Sequence, residues 1–436
     1  MNYKETIQYL YSRLPMFSKE GQAAMKPGLQ NIIKFCQKLG NPEEKFKSVH
    51  VGGTNGKGSS SHMLAAILQN SGYKTGLYTS PHLRDFRERI RIDGKMISEK
   101  KVVQFVKSNQ QFIEQIEPSF FEVTVAMAFE HFALEKVDIA IIEVGLGGRL
   151  DSTNIIKPEL SLISNIGYDH MNILGNTLAE IALEKAGIIK SETPVIISQR
   201  QSEIQEIFNN KAFEMESQIT FASDEWDIKR SSLQNYNTDL LKVEVKQKSK
   251  VENAIFKFNS LELDLTGSYQ LKNLAGVLSA VNQLKIRGFK IDDDNIISAL
   301  ADVKTLTGLM GRWQTLAMKP LIICDTGHNE DGIKEVIKNI HLSTFNNLHM
   351  VIGVVKDKDI SKILTLLPLE AKYYFCQPNI PRAKSANELH AEAIQFGLEG
   401  DYYESVDSAL EAAKKNALED DLIFIGGSTF VVAEIV

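Results

Sequence analysis

The sequence predicts an α/β protein with two blocks of parallel sheet, and three observations carry that expectation. Short apolar runs alternate with amphipathic helical windows from residue 46 to about 200, the same alternation resumes after residue 313, and 436 residues exceed one ordinary core. Length alone therefore suggests more than one domain.

In the first block the strand candidates are FKSVHV (46–51), KTGLYT (74–79), VDIAIIEVG (137–145), ELSLISN (159–165) and PVIIS (194–198). Helical windows at 59–71, 120–136 and 177–187 separate them, and the last opens with Thr177 and Glu180 in a capping-box spacing. Strands separated by helices form parallel sheets, whose ligands sit at the carboxyl ends of the strands. Residues 225–265 change character: LLKVEVKQ, NAIFKFNS and LELDLTG read as a small antiparallel region completing the first domain, followed by helices at 269–287 and 292–303. KTLTGLMGRW, residues 304–313, has little periodicity and two glycines, so it is expected as a linker between domains at 1–303 and 314–436. PLIICDTGHN, LHMVIGVV, KYYFCQP, GDYYESV and DLIFIGGS supply the strands of the second, smaller α/β domain.

Composition narrows the function. With 43% hydrophobic and 24% charged residues and a net charge of −6, the chain reads as soluble and globular and gives no footprint for nucleic acid. Cys36, Cys324 and Cys376 are scattered and odd in number, which fits neither a disulfide framework nor a thiolate metal site and implies a reducing cytoplasm. No window approaches a membrane span, and MNYKETIQYLYSRL lacks the basic leader and apolar core of a signal peptide.

The chemistry begins at SVHVGGTNGKGSSSHML, residues 48–64, where four glycines and one lysine stand between a strand and a helix. Glycines let backbone N–H groups turn inward, the helix start offers unpaired donors and positive dipole, and Lys57 adds a point charge, a combination that holds polyphosphate. The stretch departs from G-x-x-x-x-G-K-[ST], because Val51 replaces the first glycine and Gly58 separates Lys57 from Ser59. Glycine-rich turns also close ordinary strand-to-helix connections, but a lysine and the hydroxyls of Thr54 and Ser59 among them favour nucleotide.

Further polar groups fall at the expected strand ends. Ser80 and His82 follow one strand, Glu143 ends another before a glycine-rich turn, Asp169 and His170 follow a third, and Lys185 sits in a helix's last turn. Ser80 before Pro81 also suits a plain turn, His170 a satisfied loop histidine, and Lys185 a complement to the helix dipole. A carboxylate at the end of an apolar run must be paired or metal-bound. A hydroxyl, a carboxylate and an imidazole beside a phosphate loop suit a hard cation such as Mg²⁺, and without nearby cysteine they do not suit structural zinc.

GTNGKGS, TSPHL, FFEVTVAMAF, EVGLGGRLDSTN, GYDHMNILGNTLAEIALEKAGI, GRW and DTGHN occur in this order along one chain. Together they resemble the folylpolyglutamate synthases and bifunctional dihydrofolate synthase/folylpolyglutamate synthases of the Mur ligase superfamily, over residue 26 to the C-terminus. The resemblance implies a Mur-ligase-type P-loop ATPase domain, a Rossmann-like C-terminal domain, and an ATP-dependent amide ligase working through an acyl phosphate. It implies ATP phosphates on Thr54, Asn55, Gly56, Lys57, Gly58 and Ser59, and further ATP contacts from Asn273, Arg312, Asp325 and His328. Two Mg²⁺ ions are implied, one on Ser80 and Glu143 and a second on His170, with Lys185 carbamylated. Gly28, Leu29, Phe120, Phe121, Glu122, Leu150, Asp151 and Ser152 match segments contacting the pteroate. DTGHN stands for the more usual D-G-A-H-N, and Tyr269 stands where many Mur ligases have histidine. The implied partners are ATP, L-glutamate and dihydropteroate or reduced folates, acting on a cytoplasmic monomer. A peptidoglycan-type Mur amino-acid ligase and a P-loop ATPase that joins nothing remain as alternatives; the former usually carries an added N-terminal domain, for which the chain has no room before residue 52.

Overall fold

The computed structural model describes residues 1–16, 28–231, 239–248, 256–356 and 360–436. The chain forms two compact units, one from Met1–Ser231, Lys242–Asp264 and Gln270–Gly308, the other from Ser232–Leu241, Leu265–Tyr269 and Leu309–Val436. Its strands are β1 Lys47–Gly52, β2 Thr75–Tyr78, β3 Ile90–Ile92, β4 Lys95–Met96, β5 Ile139–Glu143, β6 Leu160–Ile163, β7 Val195–Ile197 and β8 Ile219–Phe221 in the first sheet. β9 Trp226–Arg230, β10 Leu241–Gln247 and β11 Ser260–Leu263 form a small ribbon, and β12 Gln314–Met318, β13 Leu321–Cys324, β14 Leu348–Ile352, β15 Lys372–Cys376, β16 Gly400–Tyr403 and β17 Leu422–Gly426 the last sheet.

The first sheet runs β4-β3-β2-β5-β1-β6-β7-β8. β2, β5, β1, β6, β7 and β8 are parallel, and β3 and β4 add an antiparallel edge. Its centre explains the apolar runs: β1 beyond Lys47 and all of β5 and β6 are buried, as strands covered on both faces must be. Register then aligns the strand ends. Val51 pairs with Glu143, Tyr78 with Ile142 and Gly52 with Ile163, so β1, β2, β5 and β6 finish at one level. Whatever follows each strand meets on one edge.

Helix Lys57–Asn70 leaves the end of β1 and is buried from Ser59 to Leu68, because the sheet lies on one side of it and the helices Gln270–Ile286, Asp293–Leu300 and Val303–Thr307 lie on others. His62 Nδ1 meets Thr307 Oγ1 at 2.8 Å in that packing. Helices Tyr3–Arg13, Gln30–Lys38, Glu99–Ile116 and Phe120–Glu135 build a second apolar cluster over the β2–β5 side, rich in Phe35, Phe105, Phe129 and Phe132.

β10 shows the other sheet logic: Leu241, Val243 and Val245 are buried while Lys242 and Glu244 are exposed, the period-two pattern of an antiparallel ribbon with one wet face. Of the expected strand NAIFKFNS, residues 253–255 lie outside the described residues, and 256–259 are not strand; the ladder begins at Ser260. Residues 304–307, read as the start of a linker, belong to the helix Val303–Thr307, which Gly308 ends at φ 71°.

The second unit's sheet runs β12-β13-β17-β14-β15-β16, parallel except for β12. Side chains alternate cleanly between its faces. Ile323, Met350, Ile352, Tyr373, Phe375 and Phe424 enter one apolar cluster; Ile322, Cys324, Val351, Tyr374, Cys376, Ile423 and Ile425 enter the other.

Candidate active site

The loop after β1 is built by its own sequence and by the loop after β6. Gly53 has φ 130° and Gly56 φ 89°, conformations that L side chains rarely adopt. A Cβ on Gly53 would lie 2.0 Å from Ser164 Oγ, and one on Gly56 would lie 2.1 Å from Asn273 Oδ1. Asn165 clamps the same loop from the end of β6: its carbonyl accepts Thr54 N–H at 2.7 Å and its Oδ1 accepts Asn55 N–H at 2.8 Å. Ser164 Oγ donates to the Asn55 carbonyl at 2.6 Å, and the Thr54 hydroxyl pairs with Gly167. Gly53→Ala is expected to cost about 2–4 kcal/mol of loop geometry, read as an ATP-analogue affinity weakened roughly 30- to 1000-fold in a titration.

Two ammonium groups converge on this loop. Lys57 Nζ donates to the carbonyls of Gly53 and Thr54, both at 3.1 Å, and Lys185 Nζ donates to the same Gly53 carbonyl at 2.8 Å. Lys185 is 4% exposed although it lies 132 residues away in sequence. Burial first, and then the charge of Lys57, push its pKa down to about 7, against the pull of Asp169 and Asp151. Burial thus favours the neutral amine, in the last turn of the helix Leu178–Ala186.

On the far side of the loop, Glu143 ends β5 and is 4% exposed. Its Oε2 accepts Ser80 N–H at 3.1 Å, so the carboxylate and the Ser80 residue are neighbours. His170 adopts φ 50° and its N–H caps onto Asp169 Oδ1 at 2.9 Å, while its Nε2 stands 3.9 Å from the same oxygen. Among the described residues no three His, Cys, Asp or Glu side chains are grouped to form a protein-only metal cage. The buried Glu143 carboxylate, with serine as its neighbour, could supply oxygen ligands to a hard cation whose other ligands are water and phosphate.

Helix Gln270–Ile286 reaches the loop with a residue that sequence reasoning missed. Gln270, fully buried, donates from Nε2 to Ser59 Oγ at 3.1 Å and accepts Asn273 Nδ2 at 2.8 Å, tying Asn273 to the loop. Its spacing of three from Asn273 was the available signal, since both then share one helix face. Ser164 and Asn165 had a signal too, a polar pair at the end of a buried strand.

Beyond Glu143 the glycine-rich turn packs against Phe121. A Cβ on Gly145 would lie 2.4 Å from Cζ of the Phe121 ring and 3.1 Å from Asp151 Oδ2, so an aromatic ring tip and a carboxylate oxygen meet over a position that only glycine fits. Phe120 is buried, Leu150 is 45% exposed, and Ser152 is buried. Leu29 packs at the edge of the same aromatic cluster, and Gly28 precedes it at φ 90°. Glu122 is engaged locally: its Oε2 accepts Ser119 N–H at 2.7 Å and the Ser119 hydroxyl at 3.0 Å, closing a capping box.

Arg312, Asp325 and His328 belong to the second unit. Asp325 is 4% exposed and accepts Tyr269 Oη at 2.5 Å, Trp313 N–H at 2.7 Å and Gly327 N–H at 2.7 Å. His328 Nδ1 pairs with the Thr326 carbonyl at 2.9 Å, and Arg312 Nη1 donates to the Gly311 carbonyl at 3.2 Å. Tyr269 thus reaches the aspartate that opens the DTGHN turn.

Residues 51–281 match the Mur ligase middle domain and residues 311–429 the Mur ligase glutamate ligase domain. The dihydrofolate synthase/folylpolyglutamate synthase of Bacillus subtilis is 30% identical over 443 residues, covering 99% of this chain and 98% of the relative. The folylpolyglutamate synthase of Lacticaseibacillus casei is 31% identical over 445 residues, covering 100% and 98%. Among solved structures, the folylpolyglutamate synthase of Thermotoga maritima superposes with a TM-score of 0.81 at 32% identity, covering 99% of this chain and 95% of that one. E. coli FolC in complex with DHPP and ADP gives a TM-score of 0.84 at 26% identity, covering 100% and 97%. The bifunctional folylpolyglutamate synthase/dihydrofolate synthase of Yersinia pestis complexed with AMPPNP and Mn gives 0.81 at 25%, covering 100% and 97%. With the phosphate loop, the strand-end carboxylate and both domains accounted for along the whole chain, this protein belongs to the Mur ligase family, among the folylpolyglutamate and dihydrofolate synthases.

Proposed function

We propose that the chain joins the amino group of L-glutamate to the carboxylate of dihydropteroate, of reduced folate polyglutamates, or of both, with ATP converted to ADP and phosphate. The observation that carries this reading is the meeting of Lys57 and Lys185 on one loop carbonyl beside Glu143 and Ser80. Lys57 brings a cation to a glycine loop at a helix N-terminus, the setting in which an anion is held.

A carboxylate is a poor electrophile with a poor leaving group. In the proposed sequence its oxygen attacks the γ-phosphorus of ATP, the bond to the β-bridging oxygen breaks, and ADP leaves. The glutamate nitrogen then attacks the acyl carbon and loses a proton, and the carbon–oxygen bond to phosphate breaks. Lys57 and the amides of residues 56–59, at the start of the helix, take up charge spreading over the phosphate oxygens, while the Thr54 and Asn55 amides are held by Asn165. Gln270 and Asn165 keep that loop from relaxing, so its donors need not reorganise. Ser80 and Glu143 would hold one Mg²⁺ and His170 a second, supplying Lewis-acid neutralisation of the triphosphate. Lys185, as an amine of lowered pKa, is suited to take up CO₂ as a carbamate that exchanges a positive group for a negative one. Asp151 and Phe121 would receive a flat ring bearing N–H donors, with Gly28, Leu29, Leu150 and Ser152 around it. Asn273, Arg312, Asp325 and His328 are assigned to the nucleotide. The protein is proposed to work as a cytoplasmic monomer; all three cysteines are free and buried, and no described helix is long and apolar enough to cross a membrane.

The test is phosphate release by purified protein with ATP and Mg²⁺, comparing dihydropteroate with tetrahydrofolate, each with and without L-glutamate. Release that depends on acceptor and glutamate together is expected. Release indifferent to both would make the chain an ATPase, and release requiring a uridine-nucleotide peptide would make it a cell-wall ligase.

A further inference from the structure

β1 is the central strand of the first sheet, yet it carries His50, fully buried between Ile142 of β5 and Ser161 of β6. The ring has one polar partner at hydrogen-bond distance: Nε2 lies 2.9 Å from Thr153 Oγ1. Thr153, also fully buried, donates its hydroxyl proton to Asp151 Oδ1 at 2.5 Å, and its backbone N–H reaches the same oxygen at 3.0 Å. Because the hydroxyl proton is committed to the carboxylate, Oγ1 can only accept from the ring, so Nε2 carries the imidazole proton. Nδ1 is then the bare nitrogen, and among the described residues it has no hydrogen-bond partner. Burial, reinforced by Lys190, keeps the ring neutral, with a pKa of about 3. The arrangement is a one-way chain of donors from the sheet interior to Asp151.

Its effect is directional. Oδ1 of Asp151 is occupied twice by Thr153, while Oδ2 accepts Leu146 N–H at 2.8 Å and faces the Gly145 position where the Phe121 ring also arrives. We infer that His50 and Thr153 are positioning residues for acceptor recognition: their donor chain fixes the rotamer of Asp151 so that Oδ2 is presented beside Phe121 to an N–H donor of a flat heteroaromatic ring. This deepens the reading of Asp151 as a substrate contact and rests on it. A histidine that served packing alone would be better replaced by an apolar residue, since it leaves Nδ1 unpaired in a central strand.

The experiment uses the full chain with Thr153→Val, which removes the hydroxyl at constant shape, Thr153→Ser, which restores it, and His50→Leu. KM for dihydropteroate or tetrahydrofolate is expected to rise about tenfold in Thr153→Val and His50→Leu, with KM for ATP and kcat within about twofold of the parent. Thr153→Ser is expected to return KM for the acceptor to the parent value. If the parent turns over acceptor normally and Thr153→Val leaves its KM unchanged, or raises KM for ATP equally, the donor chain has no part in recognition. A parent without acceptor-dependent turnover overturns the substrate reading itself and this inference with it. His50→Leu alone failing to fold leaves the decision with the two threonine variants.

Discussion

Lys57→Ala is expected to lower acceptor- and glutamate-dependent ADP formation by about 10³-fold or more, the scale of losing a principal charge partner of a transferring phosphoryl group. Its ammonium stands over the loop on the carbonyls of Gly53 and Thr54, at the start of a buried helix whose remaining turns the substitution leaves intact. The thermal midpoint should therefore move by only a few degrees, since a partly buried lysine at the first position of a helix carries little of the fold. Coupled ADP detection with the variant and a parallel thermal scan make the check. Near-parent turnover would refute the proposed phosphoryl transfer.

Lys185→Ala is expected to reduce turnover by about 10²-fold or more, with part of the rate returned by high concentrations of acetate or formate. The prediction follows from the lysine's setting. A pKa near 7, depressed by burial and by Lys57, means that the neutral amine, the form that reacts with CO₂, is the major species at pH 8 and a minor one at pH 6. Enzyme stripped of CO₂ at low pH should accordingly recover about tenfold more readily at pH 8 than at pH 6 when the two are compared at equal dissolved CO₂. A small carboxylate can stand in because it supplies the same negative oxygens. The sign also bears on stability: the folded pKa lies below the unfolded value, so this group favours unfolding increasingly as pH falls from 10.5 toward 7. Full activity in Lys185→Ala without rescue would return the residue to a merely electrostatic role at the helix end.

The parts of the site that could be read in advance share a local signature. Gly53, Gly56 and Lys57 form one contiguous loop whose backbone requirements only glycine meets, and Glu143 ends an apolar run that has no other reason to carry a charge. Gln270, Asn165 and His50 escaped because each acts through a partner far along the chain: Ser59, Asn55 and Thr153 respectively. Glu122 shows the reverse difficulty, since a glutamate three residues after Ser119 serves the helix cap whether or not it also meets a ligand.

Four outer strands were similarly hidden. β3, β4, β8 and β12 are short or partly exposed, so they lack the continuous apolar runs that marked β1, β5, β14 and β17. Alternation of buried runs with capped helices determines parallel sheets by itself, because such strands leave no other way to cover both faces. Strand order and register do not follow from that alternation. They are decided when Val51 meets Glu143, Tyr78 meets Ile142 and Gly52 meets Ile163, which brings four strand ends to one edge. Sequence thus determined which residues could do chemistry, while the tertiary pairing decided that Lys57 and Lys185 share a single carbonyl. Distances between side chains more than a hundred residues apart are set by packing, and no local pattern encodes them.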